Sequence, residues 1–247
     1  MQANSSSVKT TGELKDKIAL VTGANRGIGL AIIETFARAG ARCLLVSRDS
    51  AKASEAVARL SSEGLLVESH AGDVTANDSL RALARAVAQR HGRVDVLVNN
   101  AGVFLAEDRA MSPSAIDIAV VRTTLDVNLL GPMRVVTALG ALVPSGGRII
   151  NVSSTMGQLS DGSDGYGPAY CVSKAALNAY TQSLAADLAA RNVMVDCFHP
   201  GWAKTDMGGP RATVDPMESA QTAFFLATRP HSAKTGLFWR GRDPIPW

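Results

Sequence analysis

The sequence predicts one doubly wound α/β domain, in which helices cover both faces of a parallel seven-stranded sheet. Short apolar runs alternate with longer helical patterns along the chain, as βαβ crossovers require. These runs are apolar at nearly every position, which is typical of strands buried on both faces. The length of 247 residues, with 46% hydrophobic and 19% charged residues, suits one well-packed domain and excludes a disordered chain.

Seven strands and six helices are expected to alternate along the chain. The predicted strands span residues 17–22, 42–46, 65–69, 94–98, 148–152, 193–198 and 237–240. The predicted helices span residues 28–39, 51–60, 78–89, 118–142, 169–190 and 216–228. Ligands of such sheets bind beyond the carboxyl ends of the strands, so functional residues should directly follow the strands.

Composition limits the possible functions. Residues 1–14 are polar and predict a flexible tail, which leaves residues 15–247 as a single domain. No apolar run reaches about 18 residues, so we expect no transmembrane helix and no membrane partner. The net charge of +3 comes from dispersed basic residues, which argues against nucleic-acid binding. Three scattered cysteines (Cys43, Cys171 and Cys197) argue against a disulfide framework and a metal site and favour a cytoplasmic location.

A glycine-rich turn follows the first predicted strand, in the sequence Thr22-Gly23-Ala24-Asn25-Arg26-Gly27-Ile28-Gly29. Glycines permit a tight turn and a close approach of the backbone to a diphosphate. The helix that begins near Ile28 directs its free N–H groups and its positive dipole end toward the same place. We therefore expect a dinucleotide to bind here, through Gly23, Asn25, Arg26, Gly27, Ile28 and Gly29.

The T-G-x-x-x-G-x-G spacing of this turn resembles that of the short-chain dehydrogenase/reductase family, whose members have a single Rossmann-type domain. Matching elements follow in order from about Lys15 to Thr205, which is nearly the whole domain. The segment from Pro200 to Thr213 and the final Trp247 are similar to the carbonyl reductases within that family.

The tip of the second strand indicates which nicotinamide cofactor is used. An acid there would hold the ribose 2′-hydroxyl of NAD, whereas arginine suits the 2′-phosphate of NADPH. Ser47 occupies the tip, Arg48 follows it, and Arg26 is close enough in the glycine turn to reach the same phosphate. Asp49 has the spacing of an NAD-binding acid, about 20 residues beyond the last glycine, but it equally suits a helix N-cap. The two arginines favour NADPH/NADP+.

The resemblance implies further cofactor contacts after later strands. Asp73 would bind the adenine ring, although a helix cap is the alternative for this residue. The segment 99–102 would lie beside the adenosine ribose, and the turn after the sixth strand would pass beneath the nicotinamide, with Thr205 holding the carboxamide. The full set implied is Ser47, Arg48, Asp73, Val74, Asn100, Ala101, Gly102, Tyr170, Lys174, Pro200, Gly201, Trp202 and Thr205.

Tyr170 and Lys174 open the long predicted helix of residues 169–190. At positions i and i+4 they share one helical face, about 5–6 Å apart at Cβ. Free tyrosine has a pKa of about 10 and is a poor acid–base catalyst at neutral pH. We expect the lysine ammonium, together with the oxidised nicotinamide, to lower that pKa. Tyr166 is the competing tyrosine, but it lies eight residues from Lys174 and fits a substrate pocket better.

A serine pair after the fifth strand supplies a second hydroxyl. The resemblance places the catalytic hydroxyl on Ser154, with Ser153 as the less favoured choice. It also matches Asn128 to the family asparagine that holds a water near the lysine. His199 ends the sixth strand, and a core or loop role is expected for it because Tyr170 already fills the acid role.

These residues predict an NADPH-dependent carbonyl reductase that acts on a ketone or an aldehyde, with Tyr170 as the general acid. The alternatives are an NAD-dependent alcohol dehydrogenase running oxidatively and a non-catalytic NADP(H)-sensing protein. The loops 104–108, 155–166 and 202–211 should line the substrate pocket. An apolar or aromatic substrate is suggested by Phe104, Met156, Leu159 and Trp202.

The predicted catalytic helix also bears on the oligomeric state. Animal carbonyl reductases carry a long insertion between the catalytic serine and tyrosine, which covers a helix face and keeps them monomeric. Here only residues 155–169 separate Ser154 from Tyr170, so that face is free to pair. We expect a homodimer or a homotetramer.

Overall fold

The computed structural model describes residues 12–231 and 234–247, and these residues form one eight-stranded sheet in the order β3-β2-β1-β4-β5-β6-β7-β8. The first seven strands are parallel, which confirms the doubly wound α/β fold, and β8 adds an unpredicted antiparallel edge. The strands are β1 (Ile18–Thr22), β2 (Arg42–Ser47), β3 (Val67–Ala71), β4 (Val96–Asn99), β5 (Arg148–Val152), β6 (Met194–His199), β7 (Phe238–Arg240) and β8 (Asp243–Ile245). Residues 1–11 of the predicted tail lie outside the described residues.

Within the described residues, eight α-helices cover the sheet. They are α1 (Gly27–Arg38), α2 (Ser50–Ser62), α3 (Asn77–His91), α4 (Ala106–Arg109), α5 (Ile118–Leu125), α6 (Gly131–Leu139), α7 (Pro168–Leu188) and α8 (Pro216–Thr228). Helices α1, α2 and α8 share a hydrophobic core with one face, and α3, α6 and α7 share a second core with the other. Strands enclosed in this way are buried on both sides, which explains why the sequence runs are apolar throughout.

The predicted helix of residues 118–142 is divided in the structure. It consists of α5, a π-helical turn (Asp126–Leu130), α6 and a final 3-10 turn (Gly140–Leu142). By length and mean hydropathy alone, the whole stretch Ile118–Leu142 could cross a membrane. In this fold, Val135 and Leu139 of α6 are fully buried in the core beside the sheet, whereas Ile118 and Leu130 are exposed.

Other differences lie at the ends of elements. The strand Arg148–Val152 and the helix Pro216–Thr228 have their predicted bounds, and the remaining predicted strands agree within two residues. Helix α4 and strand β8 have only four and three residues, too few to carry a periodic signal. Leu14, which the sequence assigns to the tail, is buried, and its N–H donates to the Ala39 carbonyl at 3.1 Å.

The strand order positions the site. From β1, the chain builds outward in one direction through β2 and β3 and then in the other direction from β4 onward. A crevice forms at the carboxyl ends of β1 and β4, where the order reverses. The glycine turn follows β1 and the predicted ribose segment follows β4, so the fold brings both to this crevice.

Candidate active site

Two adjoining clefts open at the carboxyl edge of the sheet. The first, of about 750 Å³, is lined by the predicted cofactor residues Gly23, Asn25, Arg26, Gly27, Ile28, Gly29, Ser47, Arg48, Asp73, Val74, Asn100, Ala101, Gly102 and Thr205. The second, of about 600 Å³, is lined by Ser154, Tyr170, Lys174, Pro200, Gly201 and Trp202, among others. Ile28, Asn100, Gly102 and Thr205 line both clefts, which are therefore continuous.

The glycine turn is held tightly against the end of β4. Gly23 and Gly27 have φ angles of +63° and +57°, in the left-handed region that favours glycine. A Cβ on Gly29 would collide with the Asn100 side chain. The Asn100 amide fixes this arrangement by donating to the Thr22 and Gly23 carbonyls at 2.8 and 3.0 Å. Because the glycines of the turn carry no side chains, the free N–H groups at the start of α1 face the first cleft.

The tip of β2 carries a buried serine followed by an exposed arginine. Ser47 is buried, and its Oγ accepts a hydrogen bond from Asp49 N at 3.0 Å. The Asp49 carboxylate caps α2 by accepting from Lys52 N at 3.0 Å, which is the alternative that the sequence left open for this residue. The exposed Arg48 guanidinium lies 3.9 Å from the Asp73 carboxylate. The tip therefore presents positive charge without a free acid.

Asp73 and Arg26 both have partners within the protein. The Asp73 carboxylate accepts from the Thr75 N–H and hydroxyl at 2.9 and 2.7 Å. Burial alone would raise the pKa of Asp73, but these hydrogen bonds and the Arg48 charge hold the pKa below its usual value. Arg26 forms an ion pair with Asp206, across the cleft from its own turn. Arg48 is therefore less firmly held than Arg26.

The Tyr170 hydroxyl lies at the floor of the second cleft. Its ring stacks on Phe104, with centroids 4.6 Å apart and planes inclined by 20°. Burial raises the pKa of Tyr170 to about 12, and the Ser154 hydrogen bond and the Arg109 charge offset only part of that rise. The phenol is therefore protonated at neutral pH.

The two adjacent serines have different surroundings. The Ser153 hydroxyl is buried and donates to Asn178 Oδ1 at 2.5 Å, on the side of α7. The Ser154 hydroxyl accepts from Met156 N at 3.1 Å and also interacts with the Tyr170 hydroxyl. The structure thus brings Ser154, rather than Ser153, to the tyrosine.

Lys174 is buried one turn beyond Tyr170 on α7. Its Nζ donates to the Val152 carbonyl at 2.9 Å and lies 5.5 Å from the centroid of the Tyr170 ring. Burial lowers the pKa of Lys174 to about 8. The predicted lowering of the tyrosine pKa is not produced by the protein's own groups, because the effect of burial on Tyr170 is larger than theirs.

Asn128 is the predicted catalytic residue that lines neither cleft. It is fully buried in the π turn between α5 and α6. Its amide accepts from Val103 N at 2.8 Å and donates to the Val103 carbonyl at 2.9 Å and to Ser173 Oγ at 3.0 Å. The Ser173 hydroxyl in turn donates to the Tyr170 carbonyl at 2.7 Å. Asn128 therefore ties the segment after β4 to the first turns of α7.

Asp108, which the sequence places only at the end of a pocket loop, has a capping role that sequence reasoning missed. Helix α7 begins after Gly167, which has no side chain to cap it. Fully buried Asp108, in α4, supplies the cap: its two carboxylate oxygens accept from Ala169 N at 2.9 Å and from Tyr170 N at 2.8 Å. A contact across more than 60 residues leaves no local pattern, so no spacing could have revealed it.

His199 anchors the loop that carries the serine pair. Its Nδ1 accepts from Thr155 N at 3.2 Å. Burial, assisted by the Arg240 charge, lowers the pKa of His199 to about 4, so the imidazole is neutral at neutral pH. This is the loop role expected from the sequence.

The segment after β6 closes over the glycine turn. The Thr205 methyl group lies 3.0 Å from the position that a Cβ on Gly27 would occupy, and Thr205 Oγ1 accepts from Gly208 N at 3.1 Å. The half-exposed Trp202 donates through Nε1 to the Gly208 carbonyl at 2.8 Å. Leu159, expected in the substrate pocket, is instead 78% exposed and outside the cleft lining.

A separate group of potential metal ligands lies on β3 and α3, away from both clefts. Glu68, His70 and His91 place ligand atoms within 4.8 Å of one another. The Glu68 carboxylate is paired with Arg90 and with His91, each at 2.9 Å. Glu68 Oε1, His70 Nε2 and His91 Nε2 are nevertheless buried and have no hydrogen-bond partner among the described residues.

A doubly wound sheet with a glycine turn after β1, and with hydroxyls after β5 and in α7 that line an adjoining cleft, defines a dinucleotide-binding domain with a second cleft beside the first. Residues 17–215 match the family model described as short chain dehydrogenase. The chain belongs to the short-chain dehydrogenase/reductase family.

Individual relatives agree with this assignment. An uncharacterized oxidoreductase of Staphylococcus saprophyticus is 33% identical over 227 residues, which cover 88% of this chain and 94% of the relative. Carbonyl reductase [NADPH] 1 of Sus scrofa is 30% identical over 276 residues, covering 94% of each chain. A solved structure, a blue fluorescent protein from a metagenomic library in complex with NADPH, has a TM-score of 0.81 at 31% identity and covers 93% of this chain and 98% of its own.

Proposed function

We propose that this protein is an NADPH-dependent carbonyl reductase that converts a ketone or an aldehyde into an alcohol. The observation that carries the proposal is that Ser154, after β5, and Tyr170, on α7, line one cleft that is continuous with the dinucleotide cleft. Two hydroxyl groups on one side of a cavity are what a carbonyl oxygen needs when negative charge develops on it.

The residues of the first cleft fit NADPH/NADP+. The glycine turn leaves no room for side chains and offers the N–H groups of α1 to a diphosphate. Because Ser47 stands at the tip of β2, no acid at that position repels a 2′-phosphate. The exposed Arg48 guanidinium can bind the 2′-phosphate. The carbonyl reductase [NADPH] relative and the NADPH-bound structural neighbour support the same cofactor.

The reaction divides among four residues. Bound NADPH supplies the hydride. Ser154 and Tyr170 donate hydrogen bonds to the carbonyl oxygen, and Tyr170 transfers its proton to that oxygen. A phenol with a pKa of about 12 readily gives its proton to an alkoxide, because the alkoxide is far more basic than the phenolate. Lys174 would hold the nicotinamide ribose, and Asn128 positions the segment after β4 against the turn of α7 that carries Tyr170 and Lys174.

The first test is consumption of NADPH and NADH by the purified protein with aldehydes, aryl ketones, keto esters and quinones. We expect turnover that favours NADPH, because Arg48 is free and no acid occupies the tip of β2. A preference for NADH would instead support an alcohol dehydrogenase working with NAD. Tight NADPH binding without turnover on the whole panel would support the non-catalytic sensor.

The pH dependence of the reaction should reflect Lys174. Because its pKa is lowered to about 8, the ammonium is lost as the pH rises through that value. We expect kcat/KM for carbonyl reduction to be nearly flat between about pH 6 and 7.5 and to fall above about pH 8. His199, with a pKa of about 4, should add no break near pH 6.5. A pH–rate profile of the wild type checks both statements, and a limb centred near 6.5 would contradict them.

The subunits are proposed to associate as a homodimer or a homotetramer. Large apolar side chains are exposed on the helices beside the catalytic residues, at Ile118 of α5 and at Val172 of α7, with 57% and 53% exposure. Size-exclusion chromatography with multi-angle light scattering should give the mass of two or four chains. A mass of 25.8 kDa, that of one chain, would contradict association. The three unpaired cysteines support a cytoplasmic location.

A further inference from the structure

All of the charged side chains that line the second cleft are positive. Among its described lining residues, the groups that are charged at neutral pH are Arg109, Lys174 and Arg211, and no aspartate or glutamate is present. Lys174 is buried at the floor, beside the Val152 carbonyl. The two arginines therefore determine the charge that an entering substrate meets in the outer part of the cleft.

Arg109 is held in a defined position. Its Nη2 donates to the Met207 carbonyl at 2.6 Å, and its Nη1 lies 3.5 Å from the Tyr166 hydroxyl. The guanidinium carbon lies 4.2 Å from the centroid of the Phe104 ring, whose stacking partner is Tyr170. The Phe104 ring thus contacts both the Arg109 guanidinium and the Tyr170 phenol, and this one ring separates the arginine from the proposed proton donor.

Among the described residues, the charge of Arg109 has no counterion. Across residues 12–231 and 234–247, no carboxylate lies within 4.0 Å of the charged nitrogens of Arg109 or Arg211. Asp108 precedes Arg109 directly, but its two oxygens accept the N–H groups that begin α7. Both present partners of Arg109 are neutral, so the cation and its remaining donors are available to a ligand.

We propose that Arg109, assisted by the exposed Arg211, binds an anionic group of the substrate, so that this cleft selects aromatic ketones or aldehydes that carry a carboxylate. A planar guanidinium that already stacks on an aromatic ring is well suited to a carboxylate, through two parallel hydrogen bonds. Phe104 sets the spacing, which corresponds to about one aromatic ring between the carboxylate and the reacting carbonyl. The inference rests on the proposed reductase function and adds the substrate class to it.

The test compares 4-formylbenzoate with its methyl ester, which has the same aldehyde but no charge. We expect the wild type to favour the carboxylate in kcat/KM, and Arg109→Met to reduce the ratio of the two kcat/KM values at least about tenfold. Arg81→Met on α3, which removes an exposed arginine paired with Asp78, is the matched control and should keep the ratio. Arg109→Gln repeats the test should the methionine variant fold poorly. An unchanged ratio in the folded variants, or a wild-type preference for the ester, would overturn the proposal.

A binding measurement separates this proposal from the reductase function. The NADP+-loaded wild type and Arg109→Met are titrated with 4-(hydroxymethyl)benzoate and with its methyl ester by calorimetry. We expect the carboxylate to bind the wild type at least about tenfold more tightly than the variant, whether or not the aldehyde is turned over. Equal affinities would overturn the anion site. Failure of the reductase function would instead appear as absent turnover of both aldehydes while this difference in binding persists.

Discussion

Replacing Tyr170 with phenylalanine should lower kcat for carbonyl reduction by at least about a hundredfold. The variant keeps the aromatic ring and its stacking on Phe104 at 4.6 Å but loses the hydroxyl that is proposed to transfer a proton to the substrate oxygen. NADPH affinity should change far less than kcat, because the residues that suit the diphosphate and the 2′-phosphate line the first cleft, which Tyr170 does not. Single-turnover rates and NADPH titration by fluorescence measure the two quantities separately.

The matched control for this variant is Tyr166→Phe. Tyr166 lines the same cleft, is 42% exposed and meets Phe104 edge-on at a centroid distance of 5.6 Å. It lies on the loop before α7, and we expect its variant to lose less than about tenfold in kcat. A Tyr170→Phe variant with full activity, or the opposite ranking of the two variants, would refute the assignment of the acid.

Replacing Arg48 with glutamine should raise the KM for NADPH about ten- to a hundredfold while the KM for NADH changes little. The reason is the loss of a charge-assisted contact with the 2′-phosphate, which only NADPH carries. The Arg48 side chain is exposed and has one distant partner, Asp73 at 3.9 Å. Asp73 keeps its hydrogen bonds from Thr75 in the variant, so the adenine side of the cleft should stay intact. Initial rates with both cofactors give the ratio directly.

Arg26→Gln provides the comparison for this experiment. The sequence suggests both arginines as phosphate ligands, but Arg26 forms an ion pair with Asp206. Arg26 would have to give up its ion pair with Asp206 to bind the phosphate. We therefore expect Arg26→Gln to raise the KM for NADPH less than Arg48→Gln does. If Arg48→Gln raised the KM values for both cofactors equally, the residue would be a general cleft residue rather than one that reads the phosphate.

Much of the fold and of the site could be predicted because the information is local. Apolar runs give the strands, glycines with a particular spacing give the turn, and Tyr170 and Lys174 share a face because of helix geometry alone. The family resemblance likewise selected Ser154 over Ser153, and the structure turns the Ser153 hydroxyl away toward Asn178.

The features that escaped prediction are those that depend on contacts through space. The π turn that carries Asn128 cannot be distinguished from a regular helix by apolar spacing. Burial determines the pKa values of Tyr170 and Lys174, and the amount of burial follows from neighbours that are distant in sequence. For the same reason, the sequence offered two interpretations of Asp49, and only the Lys52 N–H contact distinguished them.

The carboxylate of Asp108 has a consequence for redesign of this protein. It couples the loop after β4, which shapes one wall of the substrate cleft, to the helix turn that carries Tyr170. An insertion or deletion in residues 103–107 would pull Asp108 away from α7 and displace Tyr170. Changing the length of that loop is therefore a poor way to alter substrate specificity. The segment around Leu159 and Gly162 is exposed, although Gly162 has a φ of +75° and should stay glycine. Changes of loop length are therefore better placed in that exposed segment, which makes no contact with the Asp108 cap.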